Sequence, residues 1–130
     1  MGASILTRYV AEEGHECAFK GVVVVSNPWN LEVCALHLQR SILGRLIYSP
    51  VMASNLMGIF WRNAAKIVSR CNIDLHKAKQ VKYIHEFDRY IQCPTWGFRT
   101  ETEYYRRASS SSSVLDVKVP FLAINATAFN

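Results

Sequence analysis

The residue types able to do chemistry are scattered along this chain. His85, Glu86 and Asp88 lie within four positions, and helical spacing of three brings His85 and Asp88 to one face, an arrangement that invites general acid/base work. A structural role for this segment is the stronger competing reading. Asp74 and His76 are two potential metal ligands without a third nearby, which is too few for a site. The four cysteines, Cys17, Cys34, Cys71 and Cys93, are widely spaced with no Cys-x-x-Cys, so they read as reduced, mostly buried thiols rather than a zinc ribbon or disulfide framework. Neither a metal nor a cofactor is expected. Arg62, Lys66 and Arg70, extended by Lys77, Lys79 and Lys82, form a basic edge suited to phosphates or anionic lipid headgroups, with a solvated face as the plain alternative. Arg106-Arg107-Ala108-Ser109 also matches a short basophilic phosphorylation pattern.

Elements must position these groups, and composition bounds them. In 130 residues, 15 Lys plus Arg face 10 Asp plus Glu, half the residues are hydrophobic, 12% are aromatic and 19% are charged. That is the balance of one packed domain and excludes disorder, collagen and coiled coil. The longest uncharged stretch, Leu46 to Trp61, is interrupted by Pro50 and Asn55, so no transmembrane helix is expected, and nothing at the N-terminus reads as an export signal.

Ile5, Leu6, Tyr9 and Val10 recur at helical spacing before Gly14. Val22 to Val25 is a continuous β-branched run ended by Ser26-Asn27-Pro28, which predicts a short strand buried on both faces. Val117 to Asn125, entered through Pro120, predicts a second. Residues 31–107 between them carry no strand pattern and read as helices broken near Pro50, around Asn72 to Asp74, and at Cys93 to Gly97. From Ala53 to Arg70, Leu56, Phe60, Ala64 and Ile67 share one arc while Arg62, Lys66 and Arg70 line another. The five serines Ser109 to Ser113 read as a solvated surface loop. The expected class is therefore α/β: two buried parallel core strands with a mainly helical insertion between them, divided as core 1–30, insertion 31–100 and core 101–130.

Met1 to Gly14 resembles the helix that follows the nucleophile elbow of α/β-hydrolases. Glu86-Phe87-Asp88, Pro94 to Phe98, Glu103 to Ser109, and Val119 to Ala126 follow in the order of the same group, the abhydrolase-domain lipases and fungal medium-chain fatty acid ethyl ester synthase/esterases. The resemblance implies a partial α/β-hydrolase fold with a helical cap, and a serine hydrolase or acyltransferase acting on medium-chain acyl esters or lipids.

By that alignment Met1 and Gly2 are the last two positions of the Gly-x-Ser-x-Gly elbow and the remnant of its oxyanion site. The nucleophile then falls before Met1. Ser4 lies two residues beyond the elbow glycine and is not that serine. The family's acid follows the last strand, where this chain reads Asn125 to Asn130 without one, and its histidine lies further on, so none of His15, His37, His76 and His85 inherits the role.

The sequence therefore reads as an internal fragment, inactive as written and with no catalytic residue of its own. The cap helix supplies the candidate lipid contacts Leu56, Phe60, Arg62, Lys66 and Arg70, with Met52, Met57, Ile59 and Trp61 beside them. Expected partners are an acyl ester or lipid and a peripheral membrane surface, in an intracellular setting implied by the family; nucleic acid is not expected, for want of any motif. The competing reading is a noncatalytic lipid- or protein-binding module built on the cap.

Overall fold

The computed structural model describes residues 2–126. They form two compact units, one made of residues up to Leu31 together with those from Ala108 onward, the other of Glu32–Arg107.

In the first unit, α1 (Gly2–Glu13) packs against β1 (Val22–Val25), which pairs with β2 (Phe121–Ile124). The strands are parallel, with Val22 opposite Phe121 and Val25 opposite Ile124, so the class is α/β as the β-branched runs predict. Amides of Val22 and Ser26 extend the ladder by donating to the Pro120 and Ile124 carbonyls, both at 2.8 Å. Val10, Val22 and Val24 form the core, with Leu6, Trp29 and Phe121 packed around it.

Burial of the strands is one-sided, in contrast to the two-sided burial expected. Val22 and Val24 are enclosed, whereas Val23, Val25, Leu122 and Ile124 are each more than half exposed. The reason is that α1 covers one face, and no described element of this unit covers the other. In α1 itself the buried stripe is Ser4, Thr7 and Val10, flanked by Ala3 and Leu6, while Ile5 is exposed and Tyr9 meets Phe19 edge-on at 5.9 Å.

The second unit is helical. It contains most of α2 (Leu31–Arg40), a π-helical turn at Gly44–Tyr48, and the long α3 (Ser49–Val68). Next come α4 (Leu75–Ala78), α5 (Ile84–Phe87), a second π-helical turn at Asp88–Gln92, α6 (Cys93–Trp96) and α7 (Glu101–Ala108). Pro50 does not break the helix: it stands in the first turn of α3 directly after the π-helical turn Gly44–Tyr48, and the helical run passes through it. Cys93 to Trp96 is helical as well, contrary to the break expected there; Pro94 again occupies a first-turn position, and the stop comes at Gly97, whose φ of 75° is the left-handed conformation glycine adopts without a side-chain clash.

Met57, Phe60, Ile73, Ala78, Phe87 and Ile91 make the core of this unit, with Leu56, Ala64 and Ile67 packed against them. The helical periodicity of the sequence thus identifies the inward arc of α3.

Candidate functional site

In the first unit the side chains nearest the resemblance to a hydrolase elbow are polar and engaged. Ser4 is only 3% exposed, and its Oγ donates to the Ala108 carbonyl at 3.3 Å. A hydroxyl so placed is a structural tie, as its position inside α1 implies. Gly2 is exposed, with nothing within 4 Å of where a Cβ would stand; Met1 and residues 127–130, on which the elbow and acid readings also fall, lie outside the described residues.

Asn27 is the hub of this unit. Its Nδ2 donates to the Ser110 Oγ at 3.1 Å and lies 3.5 Å from the Thr7 Oγ1, which itself donates to the Ala3 carbonyl. The Asn125 amide donates to the Asn27 carbonyl at 3.0 Å, and the Trp29 indole donates to the Asn125 Oδ1. Amides of Ser110 and Ser111 both donate to the Trp29 carbonyl, and the Leu31 amide donates to the Ser109 Oγ at 2.9 Å. The serine run is solvated only in part: Ser111 and Ser112 are exposed, while Ser109 and Ser110 are buried. Their hydroxyls and amides are satisfied inside the protein, which removes the cost that keeps polar groups at a surface. Burial of Ser109 also withdraws it from the basophilic pattern upstream. Polarity of composition signalled the run, but only its pairing with Trp29, Asn27 and Leu31 reveals the role.

Within the second unit, the acid/base pair suggested by spacing does not assemble. His85 and Asp88 make no hydrogen bond to each other; Asp88 instead accepts from the Tyr105 hydroxyl at 2.6 Å, joining the second π-turn to α7. Burial pushes the Asp88 carboxyl up to about 6, the Tyr105 hydrogen bond pulls back, and the Glu101 charge adds to the rise. The Tyr105 phenol is pushed up in turn, by burial first and by Asp88 second. Glu101 is held below the usual carboxylate range by its ion pair with Arg89. Glu86 accepts from the amides of Lys82 and Tyr83 and so caps α5.

Asp74 caps α4 by accepting from the amides of His76 and Lys77. No group of three or more metal-binding side chains gathers among the described residues. All four cysteines are free, and only Cys93 is buried, fewer than expected. Burial pushes its thiol up to about 11, which keeps it protonated and inert.

The candidate lipid contacts divide between two sides of one element. Arg62 and Lys66 project from the exposed side of α3 and Arg70 follows just past its end. Phe60 is 2% exposed and Leu56 packs beside it in the core. Phe60 thus has no surface to offer an acyl chain, because the arc that looks apolar in the sequence is the arc this unit buries. The apolar side chains that do reach solvent on this stretch are Tyr48, Val51, Met52, Ile59 and Trp61.

Three relatives cover nearly all of the chain. A monoacylglycerol lipase of Saccharomyces cerevisiae is 28% identical over 97% of this chain and 29% of its own length. An abhydrolase domain-containing protein of Dictyostelium discoideum is 32% identical over 97% and 31%. Medium-chain fatty acid ethyl ester synthase/esterase 2 of Saccharomyces cerevisiae is 29% identical over 95% and 32%. The chain spans about a third of the length of the curated relatives it matches. No protein-family model and no solved structure matches it. With two parallel strands, a helix against their inner face and a helical segment inserted between them in the chain, the chain is similar across nearly every residue to the abhydrolase-domain group of the α/β-hydrolases.

Proposed function

We propose that these residues are the scaffold and cap of a serine ester hydrolase or acyltransferase whose substrates are medium-chain acyl esters or related lipids. The observation that carries the reading is the alignment, over nearly the whole chain, with relatives named as a lipase and as a fatty acid ethyl ester synthase/esterase. On this proposal residues 1–30 and 101–130 belong to the core, 31–100 form the cap, and Met1 and Gly2 stand at the end of the elbow beside the oxyanion position.

Turnover requires an activated serine, its histidine and an acid. Ser4, held against the Ala108 carbonyl, is not available for the first role. The 130-residue chain alone is therefore expected to be inactive and to leave a fluorophosphonate probe unreacted by intact mass. Labelling that disappears in a Ser4→Ala variant overturns this.

A second reading, a lipid-binding module, is favoured by the exposed row Ile42, Leu43, Leu46 and Ile47 and by the basic edge, which give apolar and cationic surface on the same helical unit. No described helix is long and apolar enough to cross a membrane, so the contact proposed is peripheral. Flotation with anionic liposomes tests it: Arg62→Gln, Lys66→Gln and Arg70→Gln together are expected to abolish binding, and a triple variant that floats like the parent refutes the module.

A further inference from the structure

The chain's charge is not spread evenly. Between Glu32 and Asp74 it holds no Asp or Glu, and Arg40, Arg45, Arg62, Lys66 and Arg70 in that stretch account for the whole net charge of +5. Acids and bases elsewhere balance. Within this acid-free stretch, every residue from 39 to 48 is exposed except Gly44, which faces the Leu38 backbone. The helical run is thus open to solvent on all sides where α2 passes through the first π-turn into α3.

What it presents there is apolar. Ile42 is 70% exposed and Leu46 61%, with Leu43, Ile47, Tyr48 and Val51 each more than half exposed beside them. Leu43, Leu46 and Ile47 stand at i, i+3 and i+4, the spacing by which a helix anchors in an apolar groove. So many large apolar side chains in water on one short segment exceed the scattered single exposures of an ordinary surface, and they require a cover. Arg40 and Arg45 lie among them and form no ion pair among the described residues.

Charge selects the cover. A second copy would set the same unbalanced cations against each other. The row also serves the lipid-binding reading, but two features fit a protein groove more closely. Arg45 stands within the row, between Leu43 and Leu46, where a bilayer would draw its guanidinium toward hydrocarbon and a groove rimmed by carboxylates would pair with it. Exposure all round the segment suits a groove that wraps a helix, whereas a membrane plane meets one side only. The π-turn also displaces the anchors from regular helical spacing, so the groove must repack around them, as one lined by flexible methionines does.

We propose that the segment 39–51 docks in the acidic, methionine-lined groove that calcium opens in sensor proteins of the EF-hand class, with Ile42, Leu43, Leu46 and Ile47 as its anchors. The contact involves no ester chemistry, so it stands or fails apart from the hydrolase reading.

Calcium-loaded calmodulin is the probe, titrated into the 130-residue chain in a calorimeter. Saturable binding is expected with calcium and none in EGTA, which closes the groove. Leu46→Glu, at an exposed side chain, is expected to weaken binding by about thirtyfold or more, the size of a lost anchor, with the thermal transition of the variant unchanged. Ile59→Glu makes the same change of charge at an exposed position of α3 outside the row, and is expected to bind within about threefold of the parent. No binding with calcium, or equal binding in EGTA, overturns the proposal. An unchanged affinity in Leu46→Glu, or an equal loss in Ile59→Glu, overturns the place of the segment. A chain that floats with anionic liposomes in a Leu46-dependent way yet gives no heat with calmodulin overturns the partner and assigns the row to the membrane.

Discussion

Asp88 shows how far a residue's role depends on what folds against it. Spacing pairs it with His85, yet its partner is Tyr105, seventeen positions on, a contact that no local rule anticipates. The carboxyl, pushed from 3.8 to about 6, binds its proton more tightly in the folded chain than in the unfolded one. Between those values the native state holds more protons, so stability falls as pH rises through the window and levels off above it. Asp88→Asn keeps an acceptor for Tyr105 and abolishes the charge. It is expected to flatten that part of the stability profile and to be more stable than the parent at pH 7, measured by urea midpoints at pH 4, 5, 6 and 7. A profile in which the variant still loses stability over the same range contradicts the assignment. The serines make the same point in reverse: five in a row read as solvent-facing, but Ser109 and Ser110 are buried because Leu31, Asn27 and Trp29 supply the partners.

Elements were legible where periodicity is strong. The arc of Leu56, Phe60, Ala64 and Ile67 identifies the inward side of α3, and four consecutive valines mark β1, because both patterns reflect what the backbone repeat buries. The π-helical turns were not legible, since such turns are rare, single-turn features of a helix that no residue type or spacing announces. The first of them contains Gly44, which is buried with its Cα facing the chain near Leu38; an added Cβ would clash with the Leu38 carbonyl oxygen. That contact is with backbone and cannot be relieved by a rotamer change. Gly44→Ala is therefore expected to cost about 1–3 kcal/mol and lower the thermal midpoint by several degrees in a circular dichroism melt. An unchanged midpoint would show that the turn is not packed as described. Helix ends followed the same logic: Asp74 before α4 is readable as a cap, whereas the helical Cys93 to Trp96 segment was hidden behind a proline that also marks breaks.

At the scale of the whole molecule, the chain presents a two-stranded parallel sheet with one apolar face bare and a helical unit with its own core. The parallel pairing was predictable, because β-branched runs separated by a long helical stretch permit little else. One-sided burial was not: a run of four valines is the same string whether one face or both are covered. This sheet and cap are the framework on which the relatives' ester chemistry is proposed to rest, and a chimera probes that claim most directly. Residues 1–130 would replace the aligned third of the Saccharomyces cerevisiae monoacylglycerol lipase, with folding checked by the thermal transition and the active serine read by fluorophosphonate labelling. The account predicts a folded chimera that takes up the probe at a single serine and hydrolyses p-nitrophenyl octanoate. A chimera that melts as cooperatively as the parent lipase but neither labels nor hydrolyses the ester would contradict it.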